Sequence, residues 1–173
     1  MDLDPAADRY ESEDIKHKRV LVIGCGNVLI GDDGFGPTVI KHLSERSSIP
    51  ADVGLVDAGT GIRTLLFNII LSESKPERII VVDAIDVGKK PGEVFEVSLE
   101  SIPAVKSDDF SMHQLPTSNM LRELRDECKV AVEVIAVQVQ SLPEEVRAGL
   151  SAPVSEAVAK VHGIICRKLD IPA

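Results

Sequence analysis

Three stretches of this chain share one pattern, an unbroken apolar run that ends on a turn carrying a carboxylate. Val20 to Ile23 is closed by Gly24 and opens into a loop bearing Gly26, Gly31, Gly34 and Gly36 with the adjacent acids Asp32 and Asp33. Val53 to Val56 ends in Asp57-Ala58-Gly59-Thr60-Gly61, and Ile79 to Val82 ends on Asp83. Short runs rich in β-branched residues, apolar on both sides, read as strands covered on both faces, which is how parallel sheets are built. Between them lie stretches with helical spacing, Val39, Ile40 and Leu43 after Pro37, then Ile62 to Leu71. Alternation of strand and helix predicts an α/β fold with helices on both faces of a parallel sheet.

After Asp83 the pattern changes. The turn-rich segment 84–92 is too short for a crossover helix, and Glu93 to Leu99 alternates Val94, Phe95, Val97 and Leu99 with polar residues. That spacing predicts a strand reached by a hairpin-like return, hence an antiparallel edge. Residues 101–111 read as a loop, a helix opens at Pro116-Thr117-Ser118, and Glu133 to Val139 is a fifth strand. The last helix, Val154 to Leu169, keeps Val154, Ala157, Val158, Val161, Ile165 and Leu169 on one stripe. The expected architecture is a three-layer α/β sandwich around a five-stranded, mostly parallel twisted sheet with one antiparallel edge strand. With 173 residues and no internal repeat, the chain is expected to form one domain over 18–173, preceded by an acidic, disordered extension over 1–17.

Charge narrows the partners. Net charge is −9, and the first fifteen residues hold six acids against Arg9 alone, leaving about −4 on the rest. An acidic body without a basic stripe argues against nucleic acid or an anionic membrane surface. The amino terminus has no apolar segment of a secretion signal, and three cysteines lack metal-ligand spacing and an even count. A cytoplasmic protein is the expectation.

If the first strand lies between the second and third, their carboxyl ends flank a crevice where ligands bind. Asp32 or Asp33 would then face Asp83, and such a pair is stable only with a metal, a shared proton or a cation. His113 is the natural third member. His17 is in the tail, His42 on the polar side of the first helix and His162 within the last, whereas His113 sits in a loop before a helix start. Two carboxylates and an imidazole suit zinc, nickel or iron. Singly, an acid in a glycine turn caps a helix or closes an Asx-turn more often than it does chemistry. Cys25 follows the first strand as a nucleophile would, but a small buried cysteine is the plainer reading. Gly24-x-Gly26 imitates a dinucleotide loop, yet the third glycine of that motif would fall on Leu29, and two carboxylates stand where a pyrophosphate would bind.

The ordered set Gly24-Cys25-Gly26-Asn27-Val28-Leu29, Asp32-Asp33-Gly34-Phe35-Gly36, Asp57-Ala58-Gly59-Thr60, Asp83-Ala84-Ile85, Pro91-Gly92 and His113-Gln114-Leu115 resembles the maturation endopeptidases of nickel-iron hydrogenases. The match runs from about residue 19 to 169, so the acidic tail lies outside it. The resemblance implies a peptidase that removes a carboxyl-terminal extension from the hydrogenase large-subunit precursor after nickel insertion. It implies metal-contacting positions at Asp33, Asp83 and His113, with nickel carried by the substrate and no stably bound metal of the enzyme's own. Asp33 and Asp83 are then the candidate catalytic carboxylates, and Asp57, Gly59 and Thr60 the candidate wall of the substrate cleft. The overall run resembles an archaeal branch that serves deazaflavin-reducing hydrogenases. A module that senses the metal during assembly without cutting is the rival from a different class.

Overall fold

The computed structural model describes residues 15–100, 118–143 and 145–173. In chain order the elements are β1 (Val20–Cys25), a 3-10 turn (Gly31–Gly34), α1 (Phe35–Arg46), β2 (Val53–Gly59), α2 (Ile62–Leu71), β3 (Arg78–Ile85), β4 (Val94–Glu96), α3 (Ser118–Asp126), β5 (Ala131–Gln138) and α4 (Ala152–Leu169). The sheet order is β2-β1-β3-β5-β4, with every pairing parallel except β4 against β5. β1 does lie between β2 and β3, so the expected crevice has its walls in place.

Alternation along β1 explains the unbroken apolar run. Leu21 and Ile23 enter a core shared with Ile79, Val81, Leu65, Leu66, Leu121 and Leu124, under α2 and α3. Val20 and Val22 enter the opposite core with Ile80, Val82, Phe35, Leu43, Val161 and Ile165, under α1 and α4. Each fully buried aliphatic side chain contributes about 1.5–3 kcal/mol of transfer free energy, and both faces of the central strands collect it.

β4 is shorter than the alternation predicted. The strand ends at Glu96, with one further bond from the Val97 N–H to the Val134 carbonyl at 2.9 Å, while Leu99 turns down into the α2/α3 core. The return from β3 is gripped by the buried Gln138: its Oε1 accepts the Val87 and Lys89 N–H groups at 3.0 Å each, and its Nε2 donates to Asp86 at 2.9 Å. Gly92, at φ 79°, passes so close to α4 that a β-carbon would lie 2.4 Å from the Pro153 carbonyl oxygen. No helix among the described residues is long and apolar enough to cross a membrane.

Candidate active site

The site forms where β1 ends. Gly26 takes φ 120°, and a β-carbon there would stand 1.8 Å from the Asp33 carbonyl oxygen, so only glycine lets the loop fold back on itself. The Asn27 N–H then donates to Asp33 Oδ2 at 2.6 Å, and Asn27 Oδ1 accepts the Leu29 N–H at 3.0 Å. A second close approach seats the start of α1: a β-carbon on Gly36 would lie 2.3 Å from the Cys25 carbonyl oxygen and 2.6 Å from that of Val82. The helix start therefore touches the ends of β1 and β3 at once, which brings Asp33 beside Asp83.

The two adjacent acids separate here. Asp32 is 1% exposed, and its carboxylate accepts the Gln140 and Ser151 N–H groups at 2.8 and 2.7 Å and the Ser151 hydroxyl at 2.9 Å. It ties the 3-10 turn to the loop after β5 and to the cap of α4. Asp33 remains partly exposed on the crevice side. Residue pattern alone left the two interchangeable, and the resemblance chose Asp33; in a tight turn neighbouring side chains diverge, and the fold shows which way each points.

Asp83 is partly buried, and its Oδ1 accepts the Ala84 N–H at 2.8 Å. Desolvation pushes its pKa up to about 7; the Ala84 hydrogen bond opposes the rise and the negative field of Asp33 adds to it. Asp57 is exposed at the end of β2, where its Oδ1 accepts the Gly59 N–H at 3.0 Å. Gly59, at φ 49°, gives its carbonyl to the Gly26 N–H at 3.0 Å, joining the β1 and β2 exits, and Thr60 is exposed just beyond. Cys25 lies buried at the centre. Burial first, then the fields of Asp83, Asp57 and Asp33, hold its thiol well above the ordinary range, the reverse of what a nucleophilic thiolate needs.

Three of the expected site acids thus gather around one buried residue. His113 lies outside the described residues. Among the described residues no three of His, Cys, Asp or Glu stand together as a metal-holding group. Val28 and Leu29 on the β1 exit loop, and Val87 on the β3 exit, are half exposed at the same end of the sheet. Exposed apolar groups beside an acidic crevice are a surface suited to contact with another molecule.

Fold and crevice together define an α/β protein with a carboxylate cluster at the carboxyl ends of its parallel strands. Comparison with known proteins gives that class its particulars. Residues 37–168 match the family model described as hydrogenase maturation protease. The chain is 36% identical over 155 residues to the coenzyme F420 hydrogenase subunit delta of Methanothermobacter thermautotrophicus, covering 88% of this chain and 95% of that protein. It is 32% identical over 152 residues to the hydrogenase expression/formation protein HupD of Rhodobacter capsulatus, covering 84% and 70%. Among solved structures, the hydrogenase maturating endopeptidase HybD from Escherichia coli superposes with a TM-score of 0.70 at 26% identity, covering 88% of this chain and 92% of that one. This chain belongs to the hydrogenase maturation protease family, and it is a peptidase.

Proposed function

We propose that this peptidase removes the carboxyl-terminal extension of a nickel-iron hydrogenase large-subunit precursor once nickel is in place, the nickel being part of the substrate. The observation that carries this is the juxtaposition of Asp33 and Asp83 at one strand-end crevice, the start of α1 packing on the ends of β1 and β3 and Asp83 lying in the field of Asp33. Such a pair gains from a cation brought by the incoming substrate, because the charge offsets both the mutual repulsion and the burial of Asp83. His113 supplies the third donor. Oxygen and imidazole donors suit a divalent ion of nickel's kind.

Hydrolysis of a peptide bond requires an activated water, a polarised carbonyl and a proton for the leaving amine. A substrate-held divalent ion offers the polarisation. Asp33 acts as general base toward the water and hands the proton it takes to the leaving amine, and Asp83 contributes the second carboxylate that fixes the scissile bond. Asp57, Gly59 and Thr60 form the wall along which the peptide lies. Relatives bearing the names hydrogenase maturation protease and coenzyme F420 hydrogenase subunit delta support a hydrogenase precursor as substrate. Three free cysteines, two of them buried, fit a reducing cytoplasm.

The test is to incubate the protein with a cognate large-subunit precursor, with and without inserted nickel, and follow the mass of its carboxyl terminus. Loss of one discrete peptide from the nickel-loaded form alone is expected. Equal cleavage of both forms would remove nickel from recognition, and no cleavage of a verified loaded precursor would overturn the assignment.

A further inference from the structure

The two edges of the sheet are treated differently. β4 is three residues long and flanked by charge, with Glu96 paired to Lys168 at 2.7 Å and Lys89 to Glu93 at 3.0 Å. Short length and ion pairs are the ordinary means of blunting an edge. β2, at the other edge, has seven residues, Val-Gly-Leu-Val-Asp-Ala-Gly, with no lysine or proline among them. Among the described residues no strand pairs with its outer side.

Which main-chain groups face outward follows from the register. Val20 pairs with Val53, and the Val20 N–H donates to the Asp52 carbonyl at 3.2 Å. In a parallel ladder the bonded residues of one strand recur every second position. Residues 52, 54, 56 and 58 therefore bond to β1, and Leu55 and Asp57 turn their N–H and C=O groups to the open edge. Leu55 is partly exposed and Asp57 exposed, as an uncovered edge requires. The register shifts only between Gly24 and Cys25, beyond this stretch.

The strand leads into the crevice. Its end carries Asp57, which shares the field around Cys25 with Asp33 and Asp83, and Gly59 is bonded to the exit of β1. An endopeptidase must hold its substrate extended across the reacting groups, and an extended peptide finds its cheapest complement in an open strand.

We propose that the outer edge of β2 is the substrate-docking edge, taking the extended carboxyl-terminal segment of the precursor as a sixth strand through the main-chain groups of Leu55 and Asp57. The added strand runs beside β2 and delivers its scissile bond to Asp33 and Asp83. This rests on the precursor being the substrate. Main-chain pairing is indifferent to side chains, so the edge supplies affinity and alignment while the crevice supplies the selection.

The test uses Leu55→Pro, which deletes an outward N–H without removing a bond to β1, against Leu55→Ala, which trims the same side chain and keeps the N–H. With nickel-loaded precursor, Leu55→Pro is expected to raise KM about tenfold over Leu55→Ala, the worth of a lost hydrogen bond, with the effect in KM and not in kcat. Equal KM values in the two folded variants would overturn the docking edge while cleavage by the unmodified protein left its substrate intact. Failure of the unmodified protein to cleave the loaded precursor would instead sink the substrate, and this occupant with it. Should Leu55→Pro not fold, amide hydrogen exchange in Asp83→Asn mixed with precursor replaces it. Slower exchange at Leu55 and Asp57 supports the edge, and unchanged exchange in a complex that co-sediments overturns it. Concentration-dependent protection at these two amides in the protein alone, with a dimer by sedimentation, would assign the edge to a second copy and overturn the proposal.

Discussion

The Asp32 carboxylate accepts two hydrogen bonds from Ser151, one from its N–H at 2.7 Å and one from its hydroxyl at 2.9 Å, across a separation of 119 residues. Together with the Gln140 N–H, this fastens the turn that carries Asp33 to the loop after β5 and the start of α4. Removing the carboxylate orphans buried donors, and Asp32→Ala is expected to lose about 3 kcal/mol, against about 1 kcal/mol for Ser151→Ala. Urea unfolding of the two variants checks the difference, and equal losses would show that the backbone donors find other partners.

In the proposed mechanism Asp33 is the general base and Asp83 the carboxylate that fixes the scissile bond. Asp33→Asn and Asp83→Asn should each slow precursor cleavage by roughly a hundredfold or more while leaving the fold intact by circular dichroism. Cleavage at an undiminished rate in either variant would strike that residue from the mechanism.

Asp83 has a folded pKa near 7, raised above its ordinary 3.8. An acid so raised favours the fold when protonated, and that stability is lost as pH climbs from about 4 through 7. Asparagine imitates the protonated form. The melting temperature of metal-free Asp83→Asn should therefore exceed that of the unmodified protein by more at pH 8 than at pH 5, and a constant gap would mean that Asp83 titrates normally.

His162 offers the opposite sign. It is buried between α4 and α1, with Nε2 2.8 Å from the Ser47 hydroxyl, 3.7 Å from the Cys166 sulfur and its ring edge-on to His42 at 5.0 Å. Desolvation first, then His42 and Arg46, hold its pKa below the usual 6.5. The neutral ring belongs to the fold, so stability is present above about pH 6.5 and falls as pH drops further. His162→Gln should flatten the acid side of a melting-temperature profile below that pH.

Gly36 and Gly88 separate two reasons for glycine. A β-carbon on Gly36 meets fixed backbone at 2.3 to 2.6 Å, whereas Gly88 has φ 73° and nothing within 4 Å. Gly36→Ala is expected to cost about 3 kcal/mol or more, through displacement of α1, and Gly88→Ala about 1 kcal/mol, through backbone strain alone. Chemical denaturation of both variants reads the contrast.

The strands that pass through the middle of the sheet were legible because burial on both faces leaves an uninterrupted apolar word, as at Val20 to Ile23 and Ile79 to Val82. The crevice followed from their order. Local pattern failed where distant partners decide. Val94 to Leu99 alternates like a long strand, but Leu99 is claimed by the α2/α3 core. His42 and His162 looked like residues of separate helices, and only the packing of α1 on α4 makes them neighbours. Local pattern could not tell Asp32 from Asp33, and only the family resemblance singled out Asp33, because the partners of Asp32, Gln140 and Ser151, lie more than a hundred residues away.

Cys25, ringed by acids, carries a further consequence. Sulfur reacts with oxidants, alkylating agents and soft metal ions as the thiolate, and here burial and three carboxylates suppress that form. On the proposal that the substrate brings nickel to the crevice, the cysteine that lines it among the described residues is thereby kept from capturing the ion. The proposed reading of the metal then falls to oxygen and nitrogen donors, not to sulfur.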